Sequence, residues 1–446
     1  IGGLREQKAA EYIKSNVSKP VIASIVGQTA PSGRRMGHAG AIVTGKSALA
    51  QEKIRVLKDS GAIIAESPTE IGYVIKKLLK WKMVKAAVLY EINSELEIVD
   101  LSISDPKDKE VLISMDSAGL CASDLHVMKG EIVYPTPIVL GHEGAGTIEK
   151  VGPNVSSVKI GDRCIVSFIS SCGLCKQCRL GFANHCEKHY ENTHNQLDGT
   201  LRLSDENGKE IYQMHKFGAF SEYQVVPESS LFKIPDELSS NAAALIGCCV
   251  TTGLGGMINQ ENVPVGSTVA VFGCGGVGLN VIQGAKILNS TKIIAVDVFE
   301  HKLEFAYKFG ATDVINAKEE NAVEKIKEIT GDGVDFAFDS FGGPLVMEQA
   351  INSLGKRGTA VLVGIAPVGK TVSVNMVELV RDQKKIIGSY YGHKSPHETF
   401  RQITDLYLSG KIEVDNLIRE EYKIEEINKG FVDLERGEDG RGVIVF

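Results

Sequence analysis

Four of the nine cysteines are packed into "CGLCKQCRLGFANHC", and none lies in residues 1–82. Cys172, Cys175, Cys178 and Cys186 follow the spacing C-x2-C-x2-C-x7-C. Four thiolates so spaced can close a tetrahedral zinc site with no open position, the structural type. Four cysteines can also hold an iron–sulfur cluster, or stay free in a core. Clustering in a large acidic chain favours metal over disulfides.

A second set is dispersed: Cys121 in "GLCASDLH", His142 in "GHEGAG" and Cys248 in "LIGCCVTTG". Two thiolates and an imidazole leave the fourth position of a zinc ion free for water or substrate, which suits catalysis. Singly, such a cysteine is more often a small buried hydrophobe, and such a histidine a structural one. Cys249 beside Cys248 leaves open which thiol is the ligand.

The third element is "VAVFGCGGVG", with Gly273, Gly275 and Gly278 as G-x-G-x-x-G and Gly276 inside it, after an apolar strand and before a helix. Glycines there permit a tight turn, backbone approach to a pyrophosphate and close helix–strand packing. Asp297 ends the next apolar strand, "IIAVD". A carboxylate there accepts hydrogen bonds from an adenosine ribose and repels a 2′-phosphate, so NAD is expected over NADP.

These groups need elements to hold them, and the chain is long enough for two or three domains. A net charge of −7 gives no reason to expect nucleic-acid or membrane-surface binding. No uninterrupted apolar run approaches a membrane span and no secretory leader is evident, so a cytoplasmic location is expected. Residues 1–82 read as a short α/β unit of three helices and two strands around the glycine-rich "GQTAPSGRRMGHAGAIVTG". Its third helix is predicted to start at "SPTE", with Ser67 as N-cap and Glu70 completing a capping box, and to run to about Lys82. Met83 then opens strand-like "MVKAAVLYEINSELEIVDLSI", as though two polypeptides were joined. Residues 83–249 carry the short strand signals of a β-barrel. Residues 250–388 alternate strand and helix, predicting a doubly wound parallel sheet, and residues 389–446 return to mixed character.

With these motifs in view, residues 83–446 resemble the zinc-dependent medium-chain alcohol dehydrogenases over their whole length. The resemblance rests on "GLCASDLH", "GHEGAGTIEKVG", the four-cysteine lobe, "GAFSEY", "GCCVTTGLGG", "GCGGVGLNVIQGA" and the terminal "RGVIVF". It implies a GroES-like catalytic barrel over 83–249 and 389–446, a Rossmann domain over 250–388, and hydride transfer between an alcohol or aldehyde and NAD. By that resemblance Cys121, His142 and Cys248 hold a catalytic zinc, and Cys172, Cys175, Cys178 and Cys186 a structural one. Ser123 stands beside the alcohol, and His126 receives its proton by way of the nicotinamide ribose. Asp124 orients His142, and Glu143 lies close to the zinc. Lys302 joins Asp297 at the ribose, and Arg441 meets the pyrophosphate. Ala122 departs from the basic or histidine residue many relatives carry. Tyr190 stands where glutathione-dependent members carry an arginine. The long segment after Cys186 accompanies dimeric relatives, so a homodimer is expected.

Residues 1–80 resemble the C-terminal end of the succinate–CoA ligase α subunit, through "GQTAPSGRRMGHAGAI". This implies a partial flavodoxin-like α/β fragment whose His38 matches that family's phosphorylated histidine. The CoA-binding domain that precedes this region in the ligase is absent, so a vestigial fragment is expected. The alternative functions are a ligase α component, or a scaffold that recruits the ligase's other subunit through residues 1–82.

Overall fold

The computed structural model describes residues 5–17, 19–26, 35–36, 41–42, 49–78, 82–259, 263–438 and 440–446. The chain divides into two compact units, Ile1–Lys82 and Met83–Phe446.

In the first unit, helices Arg5–Asn16 and Ala50–Asp59 accompany a parallel pair of strands, Ile22–Ser24 and Ile63–Ala65. Ala10, Leu57 and Ala62 form a small core, with Ile13, Val21 and Val56 packed against it. Most of the glycine-rich segment, with His38, lies outside the described residues. The expected capping box does not form. The segment Pro68–Glu70 is a 3-10 turn, the Ser67 side chain caps nothing, and Glu70 Oε2 accepts from the Glu66 amide at 3.0 Å. A 3-10 turn winds more tightly than an α-turn, which brings Glu70 beneath an amide one residue too early for a box. The α-helix that follows covers Ile71–Leu78, and Lys82 already belongs to the next strand, Lys82–Leu89.

In the second unit that strand buries Val84 and the run Ala86 to Leu89. It closes a barrel with Glu97–Ile103, Ile138–Val139, Leu203–Ser204 and Glu210–Gln213. Beside it lies a seven-stranded sheet around Glu110–Gly119, which pairs with Gly144–Val151, Tyr223–Pro227 and, from the far end of the chain, Arg441–Val445. The register Val443↔Gly119 brings Arg441 to the end of the central strand, where the site residues begin.

The nucleotide-type sheet consists of β1 (Thr268–Phe272), β2 (Lys292–Asp297), β3 (Asp313–Asn316), β4 (Val334–Asp339), β5 (Leu354–Leu362) and β6 (Lys385–Gly388), all parallel, in spatial order 3-2-1-4-5-6. That order reverses direction between β1 and β4, and open α/β sheets bind ligands at the strand ends beside such a reversal. The residue 249/250 boundary falls inside one helical run, Ser240–Ile258. Among the described residues this is the one helix long and apolar enough to cross a membrane, but 78% of it is buried in the protein, so it reads as a core helix.

Candidate active site and metal centres

Strand Glu110–Gly119 delivers the chain to Cys121, whose extended backbone (φ −123, ψ 148) precedes helix Ala122–Met128. On that helix Ser123 and His126 lie one turn apart and both line a cavity, while Asp124 is fully buried. His142 and Glu143 sit just before strand Gly144–Val151. Cys248 comes from Ile246–Gly255, where the core helix widens to π-type turns. Such widening recurs at functional positions because it re-aims a side chain without breaking the helix.

These four segments converge. The ligating atoms of Cys121, His142, Glu143 and Cys248 lie within 4.8 Å of one another. Cys249 is not among them: its thiol donates to the Leu245 carbonyl at 3.6 Å in the core. Asp124 Oδ1 accepts from the Gly141 amide at 2.9 Å and stands 3.1 Å from His142 Nδ1. Asp124 therefore fixes the ring so that Nε2 faces the cluster.

The donor set fits a divalent cation. The hydrogen bond with Cys248 and the imidazole of His142 hold the Cys121 thiol well below its ordinary range. Burial pushes Glu143 up to about 8 despite Arg441, and among the described residues nothing hydrogen-bonds its Oε1. A buried thiolate with a carboxylate oxygen lacking a partner is costly unless positive charge is supplied there.

The second cluster is equally compact. The sulfurs of Cys172, Cys175, Cys178 and Cys186 lie within 4.8 Å of one another, and all nine cysteines are free thiols. Backbone amides already point at three of the sulfurs: Cys172 N–H at Cys186 Sγ (3.2 Å), Cys175 N–H at Cys172 Sγ (3.3 Å) and Cys178 N–H at Cys175 Sγ (3.5 Å). Amides aimed at sulfur stabilise thiolate, the form that binds metal.

At the end of β1, Gly273 has φ +94, and helix α1 (Gly276–Ile287) starts directly after the loop. A Cβ on Gly278 would lie 1.8 Å from the Gly273 carbonyl oxygen, whereas one on Gly275 would meet nothing within 4 Å. The space before Gly275 and the amides of the helix start suit a pyrophosphate. Asp297 at the end of β2 holds the loop by accepting from the Cys274 amide at 2.7 Å. Lys302 Nζ stands 5.2 Å above the ring of Phe299, two residues past Asp297 in the chain. Arg441 is buried, donates to the Leu120 carbonyl at 2.6 Å and to Glu143 Oε2 at 2.8 Å, and touches Gly276.

A cavity of about 460 Å³ joins the two halves: Cys121, His142 and Cys248 line it with Val277, Phe341 and Val363 of the nucleotide-type domain. Its remaining walls include Tyr134, Phe168, Met214, His215 and Tyr390, none singled out by sequence reasoning. Nor was Glu131, whose carboxylate meets His126 Nδ1. Each is an ordinary residue in its local sequence, and only the fold brings it to the cavity. Tyr190 is absent from the wall, its hydroxyl donating to the Asn184 carbonyl at 3.3 Å.

A glycine loop and a two-thiolate, one-imidazole cluster sharing one cavity define a metal- and dinucleotide-dependent oxidoreductase. Comparison with known proteins agrees. Residues 107–236 match the alcohol dehydrogenase GroES-like domain, and residues 276–409 match the zinc-binding dehydrogenase domain. The S-(hydroxymethyl)glutathione dehydrogenase of Saccharomyces cerevisiae is 38% identical over 370 residues, 80% of this chain and 95% of that protein. An alcohol dehydrogenase zinc-binding domain protein from Burkholderia ambifaria superposes with a TM-score of 0.78 at 34% identity, covering 82% of this chain and 99% of that one. A benzyl alcohol dehydrogenase from Acinetobacter calcoaceticus gives 0.76 at 33%, with the same coverage. The chain belongs to the zinc-dependent alcohol dehydrogenase family. It is an oxidoreductase acting on alcohols, with zinc and NAD as its cofactors.

Proposed function

We propose that Cys121, His142 and Cys248 hold the catalytic zinc, with Glu143 as a nearby fourth donor, and that Cys172, Cys175, Cys178 and Cys186 hold a structural one. The observation that carries this reading is the convergence of each set within 4.8 Å. When bound, zinc supplies Lewis acidity at the alcohol oxygen and NAD accepts the hydride. Ser123 takes the hydroxyl proton and His126, one turn along the same helix, passes it towards solvent, its ring oriented by Glu131. Asp124 keeps His142 in the ligating tautomer. Gly273, Gly275, Gly276 and Gly278 admit the pyrophosphate, Arg441 neutralises it, and Asp297 with Lys302 receives the adenosine ribose. Asp297 selects NAD by repelling a 2′-phosphate. The working unit is a homodimer in the cytoplasm.

Residues 1–82 are read as a vestigial piece resembling the succinate–CoA ligase α subunit, flavodoxin-like in origin and without a part in alcohol oxidation. The parallel strand pair Ile22–Ser24 and Ile63–Ala65 supports the α/β character of that piece. The test of the whole reading is the metal content of purified protein, together with NADH formation across a panel of alcohols. Two zinc ions per chain and NAD-linked turnover are expected. One zinc in fully active protein, or higher kcat/KM with NADP, contradicts it.

A further inference from the structure

One cavity wall is a histidine that neither metal set uses. In the turn Met214–Lys216, His215 (φ 55, ψ 32) and Lys216 (φ 62) both occupy the left-handed region. Non-glycine residues seldom go there, and two in succession persist only where the surroundings hold them. Lys216 does the holding. It is 1% exposed, and its ammonium donates to the carbonyls of His189 (3.0 Å) and Asn192, while its own carbonyl accepts from Gln196 Nε2 at 3.0 Å.

The result is a fixed imidazole in the cavity, its ring centroid 4.8 Å from that of Phe168, 5.9 Å from Tyr134 and 6.3 Å from His142. Both ring nitrogens are engaged. The Ser170 amide, which can only donate, reaches His189 Nδ1 at 3.3 Å. Neutral His189 therefore carries its proton on Nε2 and donates to His215 Nδ1 at 3.4 Å. His215 in turn donates from Nε2 to Tyr134 Oη at 3.2 Å. Burial, with the neighbouring His189, His142 and Lys216, holds the His215 ring well below its ordinary range, so it stays neutral. Neither nitrogen is left for a ligand. What the ring offers the cavity is aromatic surface, beside Phe168 and Tyr390.

On the alcohol-oxidising reading of this cavity, we propose that His215, pinned by Lys216, is a specificity-determining residue that selects alcohols whose hydroxyl-bearing carbon is attached to a flat arene. Aromatic rings pack edge-to-face or offset with centroids about 4.5–7 Å apart, the spacing already present among these walls. A puckered saturated ring of equal carbon count fills the same volume without those contacts.

The test is steady-state kinetics of the full chain, loaded with zinc and NAD, on benzyl alcohol and cyclohexylmethanol. The wild type is expected to favour benzyl alcohol in kcat/KM by about tenfold or more, the scale of one or two aromatic contacts. His215→Leu should cut that ratio to about threefold or less as those contacts are lost. His215→Phe, which keeps a ring and loses the nitrogens, should retain most of it. Lys216→Met should lower it by freeing the turn. A wild-type ratio near one overturns the inference while leaving alcohol oxidation intact, as does an unchanged ratio in folded His215→Leu. Turnover of no alcohol by the loaded wild type overturns both readings. If His215→Leu fails to fold, the wild-type ratio and Lys216→Met decide.

Discussion

Glu143 Oε2 accepts a hydrogen bond from Arg441 Nη2 at 2.8 Å, with both side chains at or below 5% exposure. The same arginine lies against the glycine loop, where a Cβ on Gly276 would come within 2.7 Å of its Cδ and Nη1. One buried arginine–carboxyl hydrogen bond thus spans the metal cluster and the dinucleotide loop. Removing the arginine leaves a buried carboxyl oxygen without a partner, which costs about 1–3 kcal/mol. Arg441→Met is therefore expected to lower stability by about that much and to raise KM for NAD. Urea denaturation of the zinc-loaded protein checks the first effect, and a loss under about 1 kcal/mol would show the pair to be dispensable.

Two glycines of the loop should separate folding from cofactor binding. Alanine at Gly278 meets the Gly273 carbonyl at 1.8 Å and Ser340 Oγ at 2.8 Å, so the loop must distort. Alanine at Gly275 meets nothing within 4 Å. Gly278→Ala should lower both Tm and NAD affinity. Gly275→Ala should keep the wild-type Tm and weaken NAD by about tenfold or more, because its methyl occupies the pyrophosphate's approach. Equal NAD affinity in Gly275→Ala and wild type, by calorimetric titration, would place the pyrophosphate elsewhere.

The two metal centres should come apart by mutation. Asp124 accepts from both Gly141 N–H and His142 Nδ1–H, and replacing such an orienting group typically costs about 10–100-fold in metal affinity. Asp124→Asn should lose the catalytic zinc selectively under a graded chelator challenge, with turnover falling in parallel. Cys175→Ala should lose the other zinc and chiefly Tm. Simultaneous loss of both metals in Asp124→Asn would contradict two independent sites.

Legibility in the sequence followed distance along the chain. The cysteine lobe and the glycine loop were readable because each is contiguous, and their geometry is local. Glu143 and Arg441 are 298 residues apart, and nothing near either announces the other. Tyr134, Phe168, His215 and Tyr390 reach the cavity from separate segments, so its aromatic character had no sequence signature. The choice between Cys248 and Cys249 needed the helix phase, which directs one thiol to the cluster and the other to the Leu245 carbonyl. Ser67 and Glu70 matched a capping pattern, but a 3-10 turn moved the glutamate past its target.

His189 makes the fold acid-sensitive. Its ring is fully buried, and burial with Lys216 nearby pulls it down to about 3. In the unfolded chain a histidine takes its proton near pH 6.5. Between those values the unfolded state binds more protons, so stability rises with pH and is lost on acidification. From pH 7.5 to 5 the loss from this one group is about 2 kcal/mol. His189→Phe should flatten that part of the profile. Urea midpoints of the two proteins at both pH values, with zinc content verified, measure the difference. An equal acid-induced loss in both would assign the sensitivity to other groups.

The last prediction concerns residues 1–82. Both metal clusters, the glycine loop, the cavity and Arg441 all lie after Met83. The barrel strand that begins the second unit buries its first side chain at Val84, while Lys82 and Met83 are exposed. Starting the chain at Met83 therefore removes no buried side chain of that strand. Among the described residues the first unit has two two-stranded sheets, one parallel and one antiparallel, and a core built on Ala10, Leu57 and Ala62, little apolar area to offset the ordering of its backbone. A chain beginning at Met83 is expected to fold, bind two zinc ions and keep kcat/KM for alcohol within about twofold of the full chain, because no contributor to transition-state binding is lost. His38→Ala in the full chain should leave alcohol oxidation unchanged. Residues 1–82 expressed alone should be poorly soluble. A tenfold or greater fall in kcat/KM on deletion, about 1.4 kcal/mol of transition-state stabilisation, would mean that the first unit takes part in the chemistry and is not a vestige.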